Sequence, residues 1–178
     1  MKIERWPRAS MALHWTSAAV LVGLVTAGFV MTNLPADGSG RLLVARLHAL
    51  GGGALVALTL MRLAGRRRGP VTSPVASRRH NGVIQTVHVM LYVAIFAVAG
   101  AGVVTGVQGA WWKYLSGETH EAPKLELLVA RQSHEALVYV LLAFVMVHVA
   151  GVMLQQVRRG GALERMLPFF EERPHGLD

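Results

Sequence analysis

Charged residues vanish from this chain for long stretches. No Asp, Glu, Lys or Arg occurs between Arg8 and Asp37, between Arg79 and Lys113, or between Glu135 and Arg158. A fourth gap, from Arg46 to Arg62, is shorter, and Arg46 can snorkel outward from a helix end. Apolar residues fill most of each gap, and about 20 of them are enough for a helix to cross a bilayer. The pattern predicts four helices, at about 10–33, about 42–63, about 82–107 and about 127–157. The connection after the first is a short turn through Pro35, Ala36, Asp37 and Gly38. The longest connection runs from Gln108 to Glu126, and Lys124 to Arg131 reads as a short amphipathic lead-in to the last helix. A cleaved secretory signal is the rival reading of the first run. Trp15 to Met31 is too long for a signal core and no small-residue cleavage motif follows it, so a retained helix is expected.

Composition agrees with this pattern. The 178 residues suggest one domain, residues 1–178, with 53% apolar and only 16% charged residues. The expected fold is all-α, an integral membrane four-helix bundle. Lys and Arg orient it. Thirteen of them lie in the N-terminal segment, the connection between the second and third helices, and the C-terminal tail, against five (Arg41, Arg46, Lys113, Lys124, Arg131) in the other two connections. By the positive-inside rule both termini are cytoplasmic. The net charge of +8 therefore reads as topology and lipid-headgroup contact, with the lipid bilayer and not nucleic acid as the partner. There is no cysteine, which excludes disulfides, iron–sulfur clusters and covalently attached haem. Glycines are frequent in the helices, among them Gly51, Gly52, Gly53, Gly100, Gly102 and Gly106. They permit close helix packing in lipid, and they also leave room for a flat group.

Five of the eight histidines fall inside predicted helices: His14, His48, His88, His134 and His148. An ionisable group inside a bilayer points to function. In the predicted topology His48 and His134 lie toward the periplasmic face, and His14, His88 and His148 toward the cytoplasmic one. His134 and His148 are separated along one helix by about 21 Å and fall within roughly 40° of one face. One helix thus offers an imidazole at two depths, and another helix can offer a second imidazole at each. Two imidazoles on opposite sides of a plane suit a haem iron. Zinc wants about four ligands in one tetrahedron, and no Met or Cys cluster favours copper. A proton relay tolerates the spacing without demanding pairs.

Three segments carry a resemblance: Arg8 to Trp15, ending in His-Trp; Arg46-Leu47-His48 followed by glycines; and Ser133-His134-Glu135 with His148 beyond. Together with the four-helix layout they resemble the bacterial cytochrome b561 family over about residues 5–168. They also resemble the dihaem cytochrome b subunits of formate dehydrogenases and nickel–iron hydrogenases. The resemblance implies two haem b groups in a multi-pass protein of the bacterial cell inner membrane. It implies His14 and His148 as ligands of the cytoplasmic-side iron, and His48 and His134 as ligands of the periplasmic-side iron. His88 would sit beside a haem or a quinone; its depth makes it the competitor to His14 or His148. Family members acting alone are quinone-linked redox proteins, and one family activity is oxidation of superoxide with reduction of ubiquinone.

Bis-imidazole ligation leaves no open iron position, so redox chemistry belongs at the edges. At the start of the third helix Asn81 and Gln85, with His88, could hydrogen-bond a quinone carbonyl; Asn81 could equally be a helix cap. Toward the periplasm Lys113, Arg46 and Arg131 could contact propionates or attract an anion, although Glu118, Glu121 and Glu126 nearly cancel the positive charge there. Trp111, Trp112 and Tyr114 read as an interfacial aromatic belt. The functional expectation is a quinone-linked oxidoreductase that moves electrons between a periplasmic donor, superoxide or a redox protein, and the ubiquinone pool. The alternative is a non-catalytic haem b anchor that serves a partner dehydrogenase or a soluble cytochrome.

Overall fold

The computed structural model of the chain describes residues 6–66 and 78–166, with the backbone alone at Arg66, at 78–81 and at Arg159. Among the described residues five helices form: α1 (Arg8–Asn33), α2 (Ser39–Arg66), α3 (Arg78–Gln108), α4 (Trp111–Ser116) and α5 (Val129–Arg159). There is no strand among the described residues. All but α4 are long and apolar enough to cross a membrane, with spans of 26 to 30 residues. At 1.5 Å per residue each reaches about 39–45 Å, beyond the roughly 30 Å of a hydrocarbon core. Only 6–17% of the residues in each span are buried within the protein. Side chains such as Val22, Leu50 and Val107 stand at least two-thirds exposed. Apolar surface of this extent needs lipid as its solvent.

Local chemistry sets the helix ends. Pro7 opens α1, where a missing N–H costs nothing, and its carbonyl accepts from Met11 N at 3.1 Å. At the other end Thr32 Oγ1 and Asn33 Nδ2 both donate to Phe29 O, which satisfies a last-turn carbonyl. Leu34 then turns extended before Pro35. Gly160 stops α5 at φ 68°, a conformation that favours glycine. The buried aliphatic hydroxyls Ser17, Thr59 and Thr105 each donate to the carbonyl four residues back at 2.6–2.8 Å, so these three are satisfied in an apolar setting.

The bundle is two hairpins. α1 packs along α2, and α3 along α5; α2 and α3 join the hairpins, while α5 has no comparable backbone approach to α1 or α2. The first and last described residues, Trp6 and Met166, lie at one end of the bundle, where Trp6 N donates to Arg165 O at 3.4 Å and Trp15 Nε1 to Met166 O at 2.8 Å. The other end is capped by α4. Tyr114 forms a buried cluster there with Ala45 of α2 and Ala122, and Met31, Leu42, Trp111 and Leu115 pack on it. Arg46 Nε donates to Leu115 O at 2.8 Å, and Ala122 N to Ala36 O at 3.0 Å. These bonds tie the cap to α2 and to the first connection.

The four predicted helices are present, each a few residues longer than expected at one end or both, apart from α5, which starts two residues later. The segment from Lys124 to Arg131 is no amphipathic lead-in. It stays irregular to a turn at Glu126–Leu127 that closes with Leu128 N on Leu125 O, and helix begins only at Val129. Pro123 supplies no N–H, and Leu127 is 92% exposed, so an early turn of helix would gain no packing. The aromatic belt divides. Trp112 is exposed, whereas Tyr114 is 1% exposed and belongs to the cap.

Candidate functional site

The space between the hairpins collects the intramembrane histidines. His134 on α5 faces His48 on α2, with ring centroids 6.2 Å apart and planes at 69°. Further along α5, His148 faces His14 on α1 at 6.3 Å and 62°. An imidazole nitrogen lies about 2 Å from a bound metal and roughly 1 Å from its own ring centre, so two imidazoles in line through one iron stand about 6 Å apart. Both pairs have that spacing. His88 on α3 also meets His148, but at 5.1 Å, closer than an iron held in line between them requires. All five rings are half-buried. No group of three or more metal-ligating side chains gathers at one point among the described residues. The donors come as pairs.

The pair at the α4 end is seated on glycines. A Cβ at Gly102 would lie 3.2 Å from the His134 ring. Without one, the ring lies flat on α3, and its Nδ1 donates to Val98 O at 2.9 Å. A carbonyl can only accept, so the proton is on Nδ1 and the Nε2 lone pair is left for a metal. His48 repeats only part of the arrangement on α1. Its Cε1 is 3.7 Å from where a Gly28 Cβ would be, but its Nδ1 is buried without a hydrogen-bond partner. Gly52, one turn beyond His48, has nothing within 4 Å of a Cβ position. No side chain of another helix packs on it.

The other pair has polar company. Arg62 Nη2 lies 3.0 Å from His14 Nδ1, and a guanidinium can only donate, so this Nδ1 accepts. The same guanidinium sits 5.9 Å from the Tyr92 ring centre. His88 Nδ1 donates to Ile84 O at 2.7 Å. Gln85 is exposed on α3, three residues from His88; the side chain of Asn81 lies outside the described residues.

The three cations expected near the α4 end lie there, each with a contact within the protein. Arg46 holds Leu115 O, Arg131 pairs with Glu135 at 2.9 Å on the exposed face of α5, and Lys113 sits 5.4 Å from the Trp112 ring centre. Lys113 also lines an open cleft of about 430 Å³ with Lys124, Thr119 and Glu121. Sequence reasoning read Gly102 only as a packing or space-making glycine, and missed Gly28, the Arg62 contact and the burial of Tyr114. Gly102 and His134 are 32 residues apart in the chain, and no local pattern links them.

Residues 5–169 match the family model for prokaryotic cytochrome b561. No curated protein matches the chain.

Proposed function

The chain belongs to the prokaryotic cytochrome b561 family, and from that premise we propose that it is a dihaem protein linking a periplasmic electron donor to the ubiquinone pool. Membership and the four long apolar helices make it a multi-pass membrane protein of haem b electron transfer. The carrying observation for two haems is the pair of imidazole spacings, 6.2 Å and 6.3 Å, at opposite ends of α5. His48 and His134 would hold the haem at the α4 end, and His14 and His148 the other. When bound, each haem supplies a one-electron couple.

The remaining roles fall to the chain's own side chains. Val98 O and Gly102 orient His134, with its tautomer set for ligation through Nε2. Ligation by His14 through Nε2 puts the proton on Nδ1, so Arg62 must then turn to another acceptor. His88 is kept as a neighbour of the second haem rather than a ligand, because its 5.1 Å spacing from His148 is too short. With Gln85 and Asn81 it supplies hydrogen-bonding groups for a quinone. In the superoxide reading, two superoxide ions release two electrons and leave as oxygen, and ubiquinone takes both electrons with two protons. The positive-inside bias supports cytoplasmic termini in the bacterial inner membrane, with α4 on the periplasmic side.

Haem content per purified chain is the primary test. Two haems with a b-type α band are expected; no haem after haem-replete expression overturns the proposal. His14→Ala should lose one haem and His88→Ala none; the reverse would move the ligand role to His88. The purified chain alone should reduce ubiquinone when supplied with superoxide. Failure to do so, with a co-purifying dehydrogenase or soluble cytochrome, would instead support the anchor role.

A further inference from the structure

We propose that Tyr114 and Trp111, both on α4, donate hydrogen bonds to the propionate carboxylates of the haem held between His48 and His134. The proposal rests on the dihaem reading above. Among the described residues three buried side-chain polar atoms lack a hydrogen-bond partner: His48 Nδ1, Trp111 Nε1 and Tyr114 OH. All three lie at the α4 end. Trp111 Nε1 and Tyr114 OH lie three residues apart on one face of α4.

An indole N–H only donates, and a buried phenol needs a partner for its O–H. The missing group is therefore an acceptor, and one acceptor group on this face could serve both. Two independent contacts locate Tyr114 relative to His48. Its cluster partner Ala45 lies three residues before His48 on α2, and Met31, packed on that cluster, lies three residues after Gly28, on which the His48 ring leans. Each helix thus puts Tyr114 about one turn from His48, on the α4 side. Arg46 on Leu115 O and Ala122 on Ala36 O hold the cap there. The carboxylates are the only ionised groups of haem b. Neutral donors on a short, doubly tethered helix are suited to hold such a carboxylate, because they are desolvated before it arrives.

The test uses the purified full chain, with Tyr114→Phe, Trp111→Phe and the double variant. Each is read by haem content, by the resonance Raman propionate-bending modes and by the midpoint potential of each haem. The His134→Ala protein identifies which signals belong to the α4-end haem. Both haems should be retained. The propionate modes of the α4-end haem should shift in each single variant. In the double variant its potential should fall, since the carboxylate charge is less screened and favours ferric iron. The expected change is about tenfold in its reduction equilibrium, about 59 mV for one electron, with the other haem unmoved. Unchanged modes and potentials with both haems present would overturn this proposal alone. A wild-type chain without a haem at the α4 end would overturn it together with the reading it rests on. If Tyr114→Phe does not yield folded protein, Trp111→Phe decides by the same modes.

Discussion

The two ends of the bundle carry the same imidazole spacing in different surroundings. At the α4 end each histidine has one histidine partner. His134 leans on a glycine and donates to a carbonyl, and a tethered cap closes the end. At the end that holds the termini, His148 has two histidine neighbours, at 6.3 Å and 5.1 Å, and His14 accepts from Arg62. On the dihaem proposal the first arrangement would hold a haem ligand and little else. The second adds a third imidazole, that of His88, beside His148. Electron transfer needs only the first kind of surroundings. Proton-coupled chemistry, such as quinone reduction, needs the second.

Removing one ligand from each end tests their independence most strongly. His134→Ala should drop haem content from two to one per chain and leave the spectrum of the other haem intact; His148→Ala should do the converse. Loss of both haems from either variant would mean that the ends assemble together. Next in size is Gly102→Ala. A Cβ 3.2 Å from the His134 ring should displace it and break the Val98 bond. Loss of such outer support typically costs about 10–100-fold in metal affinity, read here as faster haem loss at the α4 end alone. Gly28→Ala, at an ordinary 3.7 Å, should be tolerated; equal damage from both would end the claim that Gly102 is a seat. Arg62→Gln should keep both haems and lower only the potential at the termini end, because a nearby cation favours ferrous iron. Its size should be within about tenfold in the equilibrium, about 59 mV; a shift at the α4 end instead would erase the contrast. Smallest is Arg131→Ala. The exposed Arg131–Glu135 pair is one turn from His134, and such pairs contribute about 0.3–0.5 kcal/mol. Thermal unfolding should barely move and haem content should stay at two; a lost haem would show that Arg131 helps to hold it.

Much of this was legible along the chain. Gaps in charge mark the four spanning helices because an unpaired charge is costly in lipid, and that cost acts residue by residue. The depth of each histidine follows from helix rise, and the 14-residue step on α5 puts His134 and His148 on one face. Rotation between helices has no such trace. His14 and His88 were equivalent by depth, and only the packing of two hairpins made their distances to His148 differ. The short α4 escaped notice because six residues carry too little periodicity, and it starts after Ala110 at φ 48° and stops at Gly117 at φ 88°. Tyr114 read as an interfacial residue because the cluster that buries it is completed from outside its own segment. Its partner Ala45 lies on another helix.

The residue pattern alone therefore determined the medium, the number of spans and the depth of each imidazole, since all three depend on the local match between side chain and solvent. The tertiary structure decided which imidazoles face each other, which glycines they rest on and which polar atoms are left without partners. Those depend on how hairpins far apart in the chain are turned toward one another. That rotation is set by packing over whole helix faces, which no single segment encodes.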